Sequence, residues 1–226
     1  MANFYWAYDL NGAPVCIPRP RYIPTGTVIE QGEIVLFTPG TGIAVVAGTD
    51  FDDPAMGVAL EPHDGSTAGR QVGTEIKISD SPTAVYGLKS TNIITATGGS
   101  TTTFVVSGLL PQTDDLWIGG YIQVVTCAAD SSMVGERIKI SDSTGASGTL
   151  TFSTQRAAFA SGDTAYLCPG PLAIGEHGWD LVADGDDVDW DTNGGEALEL
   201  VDTDAKNMLS FWKLRLHQFA SHPVAL

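Results

Sequence analysis

Near the end of the chain, Ser210-Phe-Trp-Lys-Leu-Arg-Leu-His-Gln-Phe219 alternates residue by residue. Phe211, Lys213, Arg215 and His217 share one side, and Trp212, Leu214 and Leu216 share the other. A period of two is the pattern of a half-buried strand, because successive side chains of a strand point to opposite faces. Shorter apolar runs recur upstream, separated by Gly, Pro and Asp turns about every ten residues. They include Glu33-Ile-Val-Leu-Phe37, Ile43-Ala-Val-Val46, Ala55-Met-Gly-Val-Ala-Leu60 and Gly73 to Ile78. After these come Asn92-Ile-Ile-Thr95, Thr103-Phe-Val-Val106, Tyr121-Ile-Gln-Val-Val125, Glu136 to Ile140, Thr149-Leu-Thr-Phe152 and Ala197-Leu-Glu-Leu-Val201. Thr95 to Thr103 reads as a linker or a hairpin loop. No stretch has the periodicity of a helix of three turns. The pattern predicts an all-β chain of two small β-barrel or β-sandwich modules with an extended N-terminal arm.

The predicted organisation is an arm over residues 1–33, a small β-barrel module over 34–90 and a second β-module over 91–168. Residues 169–226 carry an acidic loop and C-terminal strands that could complete one of the modules. The arm crowds Phe4, Tyr5, Trp6 and Tyr8 at its start, then brings Pro14, Pro18, Pro20 and Pro24 in quick succession. Prolines at this density prevent helix and leave strand ladders short of donors. Arg19 and Arg21 are its only basic residues. These six residues, Phe4, Tyr5, Trp6, Tyr8, Arg19 and Arg21, are the candidate contacts to a partner or a neighbouring protomer. The other reading of the aromatics is that they cover the chain's own core.

One hexapeptide, Ile-Lys-Ile-Ser-Asp-Ser, occurs at 76–81 and again at 138–143. Over twelve positions, Gly73 to Ala84 against Gly135 to Ala146, eight residues agree. The isoleucines face one side and Lys and Ser the other, and Asp-Ser is expected to stop the strand by turning back on its own backbone. A catalytic repeat would carry a reactive group and a partner in each copy. Each copy offers only one Lys and one Asp, in a solvated pattern, so the repeat reads as architecture.

Charge narrows the partners. With 27 acidic and 11 basic residues the chain has a formal charge of −16, which disfavours phosphate backbones and anionic bilayers alike. Nucleic-acid and membrane binding are therefore excluded as expectations. No apolar run reaches the roughly 20 residues needed to span a bilayer, and the N-terminus lacks a basic region followed by an apolar core. Cys16, Cys127 and Cys168 are odd in number and have no C-x-x-C spacing, so they read as buried, reduced thiols.

Reactive constellations are sparse. The histidines at 63, 177, 217 and 222 show no H-x-x-x-H spacing, and there is no G-x-S-x-G elbow or P-loop. The acidic stretch Asp184-Gly-Asp-Asp-Val-Asp-Trp-Asp-Thr-Asn-Gly-Gly-Glu196 places Asp189, Asp191, Asn193 and Gly194 like the start of an EF-hand loop. The twelfth position is Leu200 rather than a bidentate Glu, so the stretch reads as a solvated loop. No catalytic residue, metal site or cofactor is expected.

Two stretches resemble virion proteins of tailed bacteriophages. Val45-Val-Ala-Gly-Thr-Asp-Phe-Asp-Asp-Pro-Ala-Met-Gly-Val-Ala-Leu-Glu-Pro62 looks like the small β-barrel of capsid decoration (cement) proteins. The second runs from Asp115-Leu-Trp-Ile-Gly-Gly-Tyr121 through Gly135-Glu-Arg-Ile-Lys-Ile-Ser-Asp142 to Gly148-Thr-Leu-Thr-Phe152 and Ser161-Gly-Asp-Thr164. It is similar to a β-module of phage structural proteins. Together they cover about half the chain. The resemblance implies a non-enzymatic protein made in the host cytoplasm, bound to the major capsid protein on the outside of the virion, and often trimeric. The alternatives are another virion part (head fibre, tail tube or baseplate) and a carbohydrate- or Ca²⁺-binding β-module. The latter would display Trp117, Trp179, Trp190 and Trp212 on a sheet face.

Overall fold

A computed structural model of the chain describes residues 5–9, 19–22, 28–38, 42–45, 57–64, 75–79, 83–90, 93–109, 113–180, 188–190 and 198–214. The first nine strands are β1 (Tyr5–Asp9), β2 (Arg19–Tyr22), β3 (Val28–Ile29), β4 (Ile34–Thr38), β5 (Gly42–Val45), β6 (Gly57–Ala59), β7 (His63–Asp64), β8 (Glu75–Ser79) and β9 (Ala84–Lys89). Next come β10 (Ile93–Thr95), β11 (Gly98–Gly99), β12 (Thr103–Val105), β13 (Tyr121–Thr126), β14 (Arg137–Thr144), β15 (Thr149–Phe152) and β16 (Thr164–Cys168). The last are β17 (His177–Asp180), β18 (Val188–Trp190), β19 (Leu198–Asp204) and β20 (Leu209–Leu214). All pairings are antiparallel, and the chain is all-β.

Three larger sheets result. One has five strands in the order β2-β8-β6-β4-β5, and a small β3-β7 pair accompanies it. The second has seven, β10-β16-β13-β14-β15-β12-β11. Its two ends belong to one short stretch, residues 93–99, so the sheet curls until it meets itself. Thr95 to Thr103 is therefore a hairpin component and not a linker. The third has six strands, β1-β9-β20-β19-β17-β18, and joins residues from both ends of the sequence. The segment 169–226 thus shares a sheet with residues 84–89 and 5–9.

The arm-region strands occupy sheet edges. Tyr5 lies opposite Gly87 in β9, and its ring fills the space a Cβ on Gly87 would need, with the nearest ring atom 2.2 Å from that position. This is local covering of the chain's own strand, while Tyr5 itself stays 44% exposed. Pro20 sits opposite Lys77 in β2, an edge position where a missing N–H is tolerated.

The alternation holds over Leu209–Leu214; Arg215, Leu216 and His217 lie outside the described residues. Ser210, Trp212 and Leu214 are buried, and Leu209, Phe211 and Lys213 are only half-buried. In the second hexapeptide copy, β14 continues through Asp142 to Thr144 across a bulge between Ile140 and Asp142; Asp80 and Ser81 of the first copy lie outside the described residues. The expected stop after the second copy does not occur. The second β14 residue pair after the bulge, Ser143 with Leu150, continues the ladder, and Ser143 also receives the Trp117 amide on its hydroxyl and the Asp115 amide on its carbonyl.

One contiguous apolar core links the sheets. It runs from Ile34 and Val58 through Tyr86 and Trp212 to Phe104, Phe152 and Phe159. The last three rings meet edge to face, with centroids 5.2 and 5.6 Å apart, the geometry that ring quadrupoles favour. Two buried polar ties sit within this core, one between strands and one along β20. The Tyr86 hydroxyl donates to the Ser79 carbonyl at 2.9 Å and meets the Ser79 hydroxyl at 3.0 Å, joining β9 to β8. The Trp212 indole N–H donates to the Ser210 hydroxyl at 2.8 Å.

Among the described residues a single local device is used five times. In each, a glycine with positive φ is followed by one residue and then by a strand. The pairs are Gly32-Glu33, Gly119-Gly120, Gly135-Glu136, Gly162-Asp163 and Gly175-Glu176, with glycine φ of 94°, 83°, 88°, 94° and 96°. The glycine N–H donates to the carbonyl of a facing residue, whose own N–H donates back to the carbonyl of the residue after the glycine. The facing residues are Ala59, Ile140, Val124, Ala96 and Leu200 respectively, and all five are buried. Two residues thus oppose one, as in a glycine bulge. The turn before each closes from the residue after the glycine to the third residue back, for example Glu176 N to Ala173 O at 3.0 Å. Ile174 has φ −62° and ψ 128° ahead of Gly175, which is a type II turn.

Replacing Gly175 by Ala meets no neighbouring atom but keeps the positive φ, so the expected cost is about 1–2 kcal/mol. Gly98→Ala, with open space and no positive φ, is the control, expected within about 0.5 kcal/mol of the parent. Tyr86→Phe removes both bonds to Ser79 and should cost about 1–2 kcal/mol. Urea denaturation monitored by tryptophan fluorescence measures all three.

Candidate functional site

The sequence-predicted contact residues distribute over two sheet edges. Tyr5, Trp6 and Tyr8 belong to β1, beside β9, and Arg19 and Arg21 belong to β2, beside β8. The structure brings them into separate sheets, so they do not form one cluster by strand pairing. Phe4 lies outside the described residues. Of the tryptophans considered for a glycan-stacking face, Trp117 and Trp212 are each 1% exposed. Two of that set are core residues, because both lie on the inward side of their segments. Trp179 and Trp190 sit on the adjacent strands β17 and β18.

An open depression of about 500 Å³ lies beside the end of β13. Val125, Thr126, Cys127, Ala128, Val134 and Asp163 contribute to its wall. Asp163 is the one ionisable carboxylate there, and it is only 2% exposed. Its Oδ1 accepts the Ala128 amide and its Oδ2 accepts the Ala160 amide, both at 2.8 Å. A carboxylate satisfied this way anchors backbone, and buried polar groups are paired for that reason. Asp163 thereby fixes the turn that hooks Gly162 to Ala96. Sequence reading noted Gly-Asp-Thr here but missed the role of the Asp side chain.

Near the rim, Arg156 bridges two carboxylates. Its Nε is 2.8 Å from Asp130 and its second terminal nitrogen is 2.7 Å from Glu136. The Ser132 hydroxyl and amide, and then Arg156, hold the Asp130 carboxyl below the usual carboxylate range. These are exposed groups, so the bridge orders the Ser153–Ala160 segment more than it stabilises the fold.

Cys127 and Cys168 are free and buried, and Cys16 lies outside the described residues. Burial pushes the Cys168 thiol up to about 11. The hydroxyls of Ser90 and Thr203 act in the opposite direction but do not offset the desolvation. Such a thiol is inert as a nucleophile at neutral pH, because the thiolate is the reactive form. Of the acidic stretch, only Val188–Trp190 is described. Among the described residues, no group of three or more His, Cys, Asp or Glu could hold a metal ion. Among them, too, no helix is long and apolar enough to cross a membrane.

The Cys168 shift makes stability pH-dependent. The folded thiol titrates near 11 against 9.0 for the unaltered group, so the unfolded chain loses its proton first. Its contribution is complete below about pH 9 and is lost as pH rises toward 11, at up to about 1.4 kcal/mol per pH unit. Urea midpoints at pH 8, 9, 10 and 11 should fall along this window, and Cys168→Ala should flatten the slope.

No family profile, curated protein or solved structure matches this chain.

Proposed function

We propose that the chain is a non-enzymatic structural protein of a tailed-bacteriophage virion, which binds the outer surface of the capsid and stabilises the head. One observation carries this reading. Four of the five glycines of the resembling stretch, Gly119, Gly120, Gly135 and Gly162, lie in the hooks that join its strands. The similarity therefore falls on positions that set the shape of the β-module. A protein acting by shape and adhesion needs a rigid body, satisfied backbone and solubility. Five buried backbone hooks supply the first two, and a charge of −16 supplies the third. Its binding partner on this reading is the major capsid protein, with the edge strands β1 and β2 as the first surfaces to test.

Deleting the N-terminal 24 residues would remove both β1 and β2, so a truncation confounds docking with folding. Charge reversal on β2 is the cleaner probe. The chain should pellet saturably with expanded empty capsids, and the decorated shells should resist osmotic shock better than bare ones. An Arg19→Glu/Arg21→Glu double variant should retain its urea midpoint and lose at least about tenfold in shell affinity, the scale of one or two lost charge pairs. No pelleting of the parent chain at micromolar concentration would refute the reading.

A further inference from the structure

Six large apolar side chains are exposed among the described residues: Tyr5, Val28, Ile93, Val134, Leu172 and Ile174. Isolated ones need no explanation. Val134 differs, because of the six it alone lines the depression beside the end of β13. It is 52% exposed and has φ −57° and ψ 127° ahead of Gly135. Val125, Cys127 and Ala128 add apolar wall, and Ser131 and Ser161 complete the lining with Thr126, Gly162 and Asp163. Two of the polar side chains are already committed. The Thr126 hydroxyl accepts the Thr164 amide at 2.9 Å and meets the Thr164 hydroxyl at 2.8 Å. Both Asp163 oxygens accept amides. The wall therefore offers a visitor mainly apolar surface.

The charges around this wall do not cancel. Asp130, Glu136 and Asp163 are carboxylates, and among the described residues Arg156 is the cation that bridges Asp130 and Glu136. Accepting neutral amides and hydroxyls leaves the charges of Asp163 and Asp130 in place. Three carboxylates against one guanidinium leave two negative charges at the site. Arg137, next to Glu136, sends its guanidinium to the Lys206 carbonyl at 2.9 Å. Lys206 belongs to the turn whose Ala205 and Met208 pack against Cys168, Tyr121 and Tyr166. That turn lies toward the other end of the β13–β16 ladder from the Thr126–Thr164 pair that borders the depression.

We propose that the depression receives a large aliphatic or aromatic side chain flanked by a lysine or arginine, carried on the major capsid protein. The inference rests on the capsid-binding reading and adds a second contact to the β2 edge. Charge decides between the occupants. A second copy would bring a further formal charge of −16 to a site that is already negative. A free apolar molecule would keep one side in water, because the depression is open, whereas small-molecule sites enclose most of their ligand. A side chain presented by a partner is capped by the partner's own surface. Its apolar area is then dehydrated, and the adjoining cation meets Asp130 and Glu136 at the rim.

Pelleting of full-length variants with expanded empty capsids tests it. Ala128 is exposed on the wall, so Ala128→Trp fills the depression. Val134→Lys removes apolar wall and adds the opposing charge. Each should keep the parent's urea midpoint, as surface changes do, and lose at least about tenfold in shell affinity. Val134→Asp removes the same wall with the favourable sign, and should bind at least about threefold more tightly than Val134→Lys. Leu172, 56% exposed just beyond the far end of β16, is the control, and Leu172→Lys should bind like the parent. The inference is overturned, with the capsid reading intact, if the parent pellets and either Ala128→Trp or Val134→Lys pellets equally well. It is overturned in the same way if Val134→Asp binds no better than Val134→Lys, or if Leu172→Lys loses as much as they do. A parent that does not pellet refutes both readings together.

Discussion

A glycine amide donating to a buried carbonyl, answered by the amide of that same buried residue, is the interaction on which the rest of this molecule depends. It does two things at once. It admits a positive φ, which turns the chain into a strand, and it fixes where that strand begins against its neighbour. Val124, Ile140 and Leu200 each take a hook on one side and start a register shift on the other. Bulges raise local twist, so placing them beside the hooks curls the sheet. The seven-stranded sheet, which hosts the hooked residues Val124 and Ile140 and has Ala96 beside β10, is the one that returns to itself. Short strands with two or three ladder bonds would otherwise slip, because register in short pairs is weakly held.

Packing then depends on those fixed registers. Tyr86 lies between Trp6 and Trp212 in the ladder of the six-stranded sheet, and its hydroxyl reaches Ser79 in the five-stranded one. A one-residue slip of β9 would turn Tyr86 outward and leave Ser79 without that bond. Asp163 works at the same level, since its two oxygens hold the ends of the turn that makes the Gly162 hook. These buried polar groups cost desolvation and repay it only in a single geometry, which makes them specifiers of shape. A surface that must recognise another surface by shape needs that specification more than it needs reactive groups.

Strand content was legible because hydrophobic alternation depends only on the pleat. β4, β13, β15 and β20 were read directly, each being an apolar run or alternation between turn residues. β9 was missed because Ala84-Val-Tyr-Gly-Leu88 is buried on both sides and shows no alternation. β16 was hidden behind Gly-Asp-Thr, read as a turn motif of a resemblance rather than as a strand start, and β17 behind Gly175-Glu176, outside the resembling stretches. The hooks carried a usable signal, a Gly followed by Glu, Asp or Gly directly before an apolar run. Gly32-Glu33 and Gly175-Glu176 share that signal and were overlooked because they lay outside the resembling stretches. The hexapeptide repeat misled at its end. Its Asp-Ser could turn the chain or continue a strand, and in β14 the neighbouring β15 supplied the ladder that made continuation favourable.

By itself, the sequence determined that this chain is a β-protein, that its formal charge is −16, and that its repeated hexapeptide is strand-forming. Those properties follow from local pleat geometry and summed charge, which need no knowledge of what faces what. Tertiary structure alone decided that residues 5–9 and 84–89 share a sheet with 198–214, that Trp117 and Trp212 are core, and that the Arg137 guanidinium reaches the Lys206 carbonyl. Each of those outcomes rests on pairing between residues far apart in sequence, and the energies that select one pairing arise from burial and hydrogen bonding that exist only once the strands are side by side.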